Sequence, residues 1–94
     1  MPTSNKQYIP PEVLRLMELG RQGKLWTIEI IYHCDSNTKA ERRRNMTGEE
    51  LEKYREAIFR IGFSVPIDAG HWRIVTPYDI VQVDLYKQNG YIPV

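Results

Sequence analysis

Leu25-Trp26-Thr27-Ile28-Glu29-Ile30-Ile31-Tyr32-His33-Cys34 is the stretch that decides the fold. β-Branched and aromatic residues dominate it, and successive side chains of a strand point to opposite faces. Trp26, Ile28, Ile30, Tyr32 and Cys34 fall on one, almost wholly apolar, face. Leu25, Thr27, Glu29, Ile31 and His33 fall on the other, which is mixed. The pattern predicts a strand over 25–34 with its even-numbered side chains in a core and its odd-numbered side chains on a half-exposed face.

The next residues, Asp35 to Met46, are polar and basic: Lys39, Arg42, Arg43 and Arg44 stand against Asp35 and Glu41. The expectation is a loop, or a short helical extension ahead of Thr47. Connections of about twelve residues are uncommon without structure or function, which makes this stretch the first candidate surface. Arginine forks fit both phosphates and carboxylates, so a solvated face, a protein contact and a nucleic-acid contact all stay open.

Outward from there, Ile9-Pro10-Pro11-Glu12 reads as a helix entrance, because proline loses no hydrogen bond in a first turn and Glu12 favours the positive end of the dipole. Val13, Leu16, Met17 and Gly20 line one face of a helix over 11–21. Thr47-Gly48-Glu49-Glu50 is a capping box. Leu51, Tyr54, Ile58 and Ile61 follow at helical spacing, and Gly62 ends that helix. Phe63–Ile67, His71–Thr76 and Ile80–Lys87 read as strands, the last with Val81, Val83 and Leu85 inward. Residues 1–8 are expected to be a flexible segment and 9–94 one domain. The predicted class is α+β, in the order α-β-α-β-β-β, with two helices on one face of a small, mainly antiparallel sheet of three or four strands. A complete ferredoxin-like domain is not expected, since Pro77-Tyr78-Asp79 is too short to hold its second helix.

Composition bounds the function. The 94 residues carry 13 Lys plus Arg and 12 Asp plus Glu, a net charge of +1, so any nucleic-acid contact must come from a local patch. Cys34 is the single cysteine, which excludes an internal disulfide and a cysteine-pair zinc site. No apolar run approaches the ~18 residues of a membrane span. A complete, cytoplasmic gene product is expected. His33 and His71, with Asp35 or Asp68, have no metal-specific spacing. Adjacent strand residues point apart, so His33 and Cys34 do not form a base–nucleophile pair. No glycine-rich phosphate loop or paired-carboxylate pattern is present, and no cofactor is expected.

The stretch from Gly62-Phe63 through Gly70-His71 to Val83 resembles part of the HicA-type RNA-cleaving toxins, where a glycine–aromatic helix end leads to a strand, a glycine–Ser–His turn and further strands. The resemblance implies His71 as a general acid or base in RNA cleavage. Gly70 stands where that pattern has Ser, and its following helix is missing from this sequence.

Tyr78, Tyr86 and Tyr91 lie near Lys87 and Arg73, a composition suited to base stacking, protein hot spots or sheet packing. Tyr8 and Tyr32 are expected in the core or at its rim, and Trp26 and Trp72 as core anchors. Size, balanced charge and the lack of a cofactor motif together favour a non-enzymatic binding protein. The expected type is a regulator or inhibitor of a larger protein or nucleoprotein complex, of the kind phages and mobile elements encode. Its expected contact residues are Lys39, Arg42, Arg43 and Arg44, with Arg73, Tyr78 and Tyr86. A nucleic-acid-binding regulator, an RNA-cleaving toxin centred on His71 and a homodimer formed through an exposed mixed face on Leu25–His33 or an uncovered final strand are the alternatives.

Overall fold

In the computed structural model the described residues are 8–94; all but the last position of the segment expected to be flexible lies outside them. The chain runs α1 (Pro11–Arg21), β1 (Leu25–Cys34), β2 (Asn37–Thr47), α2 (Gly48–Arg60), β3 (Phe63–Asp68), β4 (His71–Val75), a 3-10 turn (Pro77–Asp79) and β5 (Ile80–Lys87). This is an α+β architecture, and every strand pairing is antiparallel. The strands form two sheets, one in the order β2-β1-β5 and one of β3 with β4.

The element missing from the sequence reading is β2, which occupies the segment expected to be a loop. Asp35 (φ 52°) and Ser36 (φ 69°) both adopt left-handed backbone between the paired residues Cys34 and Asn37. A two-residue reversal with positive φ at both positions matches the natural twist of a hairpin. Its usual signal is Asn-Gly or Asp-Gly, and Asp-Ser does not carry it. The strand beyond, Lys39-Ala40-Glu41-Arg42-Arg43-Arg44, has no apolar alternation because it borders solvent. An edge strand gains its order from the hydrogen bonds of its neighbour and carries charge that discourages further pairing.

The core gathers on the even face of β1. Ile28, Ile30, Tyr32 and Cys34 pack with Leu51 and Ile58 of α2, Phe63 and Val65 of β3 and Val75 of β4. Tyr32 and Phe63 meet edge to face with ring centroids 5.2 Å apart, the arrangement the aromatic quadrupoles favour. Trp26, Met46, Tyr54, Ile80 and Val83 close the margin.

Several expected core residues lie elsewhere, among them Ile61 of the α2 stripe at 67% exposure and Leu85 at 37%. Trp72 is 64% exposed. Phe63 pairs with Val75 and Val65 with Arg73, so alternation turns Trp72 and Ile74 to the opposite side of the hairpin. Val81 is 53% exposed because β5 carries an extra residue there: Ile31 pairs with Gln82 and Tyr32 with Ile80, and Ile80 takes the inward place. Tyr8 is also exposed.

Thr47 caps α2 as expected: its hydroxyl accepts from the Glu50 N–H, and the Glu50 carboxylate accepts from the Thr47 N–H. Gly62 (φ 89°) then turns the chain so closely against Val75 that a Cβ would fall on the Val75 carbonyl. α1 adds no side chain to the central cluster. Its Gly20 lies flat against the backbone of Gly90 and Tyr91, where a side chain would not fit.

A buried polar knot joins these ends. Arg44 and Asn45 form a bulge opposite Thr27, with Asn45 at φ 59°. The buried Gln88 Oε1 accepts from the Thr27 hydroxyl at 2.7 Å and from the Asn45 N–H at 2.7 Å. Gln88 Nε2 donates to Asn45 Oδ1 at 3.0 Å and to the Gly90 carbonyl at 2.9 Å. Asn45 holds the tail in turn, donating to the Ile92 carbonyl and accepting from the Ile92 N–H. Every polar atom of both amides is used. Gln88→Ala strands several partners at once and should cost about 3 kcal/mol. Thr47→Ala, which removes one cap, should cost about 1 kcal/mol. Urea unfolding of the two variants checks both the sizes and their order.

Candidate interaction surfaces

β2 distributes the basic residues over two faces of the sheet. Arg42 lies opposite Glu29, on the face that also carries Asp84 of β5. Its Nε donates to Glu29 Oε2 at 2.6 Å. Arg43 lies opposite Ile28 on the core face, and its guanidinium stands 5.1 Å from the centre of the Tyr54 ring. Burial raises the Tyr54 phenol above its usual pKa, more than the nearby Arg43 lowers it. Lys39 shares the Arg43 face, opposite Tyr32, and Arg44 sits in the bulge. Among the described residues neither Lys39 nor Arg44 has an ion-pair partner. The four cations are neighbours in sequence and not a single patch in space.

Arg73 has a different role. Its Nη1 lies 2.6 Å from Asp35 Oδ2 and 3.1 Å from the Cys34 sulfur. It fastens β4 to the β1–β2 turn. The Arg73 hydrogen bond and charge hold the Asp35 carboxyl below the usual carboxylate range, with Lys39 and His71 adding to the effect. The same contacts raise Arg73. A cleft of about 290 Å³ opens at this junction, lined by His33, Cys34, Asp35, Arg73 and Asp79 among others. Three of its polar groups are engaged with one another, since Arg73 contacts both the buried Cys34 thiol and the Asp35 carboxylate. The His33 ring faces Thr38 at 3.5 Å and not the thiol.

A larger concavity, about 520 Å³, lies over the outer side of α2 between Glu52, Lys53, Arg55, Glu56 and Phe59. Its charges are already paired along the helix. His71 is half-exposed, 3.9 Å from Asp68. Among the described residues no group of three His, Cys, Asp or Glu is placed to hold a metal ion. No helix among the described residues is long and apolar enough to cross a membrane.

Of the aromatic candidates, Tyr78 is 97% exposed on the 3-10 turn. Tyr86 is half-exposed on β5, and the neighbouring Asp84 charge raises its phenol. One surface feature was absent from the sequence reading: the outer side of the β3–β4 hairpin. Trp72 and Ile74 are both about two-thirds exposed there, and Pro66 lies opposite Trp72. The clue lay in parity, since Phe63, Val65 and Val75 cannot face the core unless Trp72 and Ile74 face away.

Comparison of the chain with protein-family models, with curated proteins and with solved structures gives no match in any of the three.

The Asp35–Arg73 pair has a pH signature. A carboxyl whose folded pKa is depressed contributes stability that is present above its unfolded pKa, about 4, and lost as pH falls through the folded value. Asp35→Asn keeps a residue that tolerates the left-handed turn. It should melt below wild type at neutral pH, and the gap should close under acid. Melting temperatures of the two proteins across an acid series check this.

Proposed function

We propose that this chain is a small non-enzymatic binding protein, a regulator or inhibitor that docks on a larger protein. One observation carries the reading: Trp72 and Ile74 stand 64% and 67% exposed, side by side on the outer face of β4. Exposed apolar clusters of this kind are characteristic of interaction sites, and tryptophan is among the residues that most often anchor protein interfaces. Water gains by their burial, and a partner's apolar pocket supplies it. Lys39, Arg44 and Tyr78 are the exposed residues best able to add contacts.

A protein partner is favoured over nucleic acid by the placement of the arginines. Phosphate tracking needs unpaired cations along one surface. Arg42 is neutralised by Glu29, and Arg43 lies on the other face against Tyr54. We place the protein in a reducing cytoplasm because its cysteine is a buried thiol contacted by Arg73.

The test is capture from cell lysate with and without nuclease, read by mass spectrometry. A discrete protein should survive nuclease with the wild type and be lost with Trp72→Ala and with Ile74→Asp. Both variants should melt close to wild type, since neither side chain belongs to the core. Lys39→Glu and Arg44→Glu should weaken capture further. Loss of every partner on nuclease treatment would replace the protein reading with a nucleic-acid one. Unchanged capture by Ile74→Asp would remove the hairpin from the site. Growth arrest on expression, relieved by His71→Ala, would instead establish the RNA-cleaving reading.

A further inference from the structure

The two edges of the β2-β1-β5 sheet differ in chemistry. Residues 39–44 of β2 carry four cations and one carboxylate, a net +3. Bringing two such edges together would set +6 along one seam, and charge of that kind is how natural edge strands avoid pairing. β5 carries Asp84 and Lys87, a net charge of zero. Its Val81, Leu85 and Tyr86 are 53%, 37% and 51% exposed. Among the described residues β1 is the strand paired with β5, and no helix makes an extended contact along it. Its outward N–H and C=O groups are a template for another strand.

We propose that β5 is the seam of a homodimer, in which β5 of two copies pair antiparallel across a two-fold axis and complete a six-stranded sheet, β2-β1-β5-β5-β1-β2. Charge selects the register. Two-fold antiparallel pairing places one residue opposite its own copy. With Asp84 there, two carboxylates would face each other across a distance of about 5 Å, which is destabilising. With Leu85 there, two leucines bury each other, and Asp84 falls opposite Tyr86 of the partner subunit on both sides of the axis. The phenol O–H then donates to the carboxylate, a charge-assisted bond made twice. Val83 falls opposite Lys87 of the partner subunit, and the bulge at Val81 lies outside the seam. A strand so matched to itself fits a second copy of this chain. This inference does not rest on the docking reading, which uses the β3–β4 face.

Sedimentation equilibrium from micromolar to millimolar protein decides it. Wild type should approach twice the 11.1 kDa mass of the chain. Leu85→Lys sets two ammonium groups face to face, and Tyr86→Glu sets a carboxylate against Asp84 of the partner subunit twice; each should give a folded monomer by circular dichroism, while Ala40→Lys on β2 should remain dimeric. Leu85 borders the core, so if its variant fails to fold the half-exposed Tyr86 position decides. A wild type that stays monomeric at millimolar concentration would overturn the proposal. So would a dimer that persists in folded Tyr86→Glu, or one abolished by Ala40→Lys.

Discussion

Everything in this molecule depends on β1 having a neighbour on each side. Among the described residues it is the only strand paired along both edges, with β2 on one and β5 on the other. Its even face holds four of the core side chains, and α2, β3 and β4 are secured through that face. Burying a strand on both edges leaves few main-chain groups to water and lets Ile28 and Ile30 reach complete burial. α1 and the C-terminal residues contribute at one end of β1, through Leu25 and the polar knot around Gln88. Arg73 secures the other end.

The elements that could be read from sequence were those with an internal period or a local chemical signature. β1 alternates on its own, and α2 announces itself with Thr47 and Glu50. β2 has neither property. Its order comes from hydrogen bonds to β1, and its composition reflects the water on its outer side. A strand specified by its partner resembles a loop until the partner is placed. The same error followed the arginines: adjacency in sequence became one surface in the reading, whereas alternation sends Arg42 and Arg43 to opposite faces. Trp72 was misplaced because tryptophan usually packs inward, and only the pairing of Phe63 with Val75 fixes which side of β4 is inward. The knot of Asn45 and Gln88 left no sequence signal, since single amides 43 residues apart carry no pattern.

The surfaces show a division of labour. Charged residues of α2 are largely spent on one another, and of β2 Arg42 is spent on Glu29 and Arg43 on Tyr54. Apolar exposure on the strands falls on the β3–β4 hairpin and on β5, and on the helical side Leu14, Phe59 and Ile61 are exposed as well. A two-stranded hairpin is marginal by itself. This one is held by Phe63, Val65 and Val75 beneath it and by Arg73 at its edge, which leaves the opposite side able to present Trp72 and Ile74 without supporting the fold.

The Arg73–Cys34 contact also equips the protein with its own strain gauge. The thiol is 5% exposed and lies under the guanidinium that ties β4 to the β1–β2 turn. A reagent in solution reaches that sulfur only while the junction is open. The rate at which Cys34 is alkylated therefore reports the local opening free energy of the hairpin attachment, separately from global unfolding. With one cysteine in the chain, the reading comes from a single site and needs no engineered label.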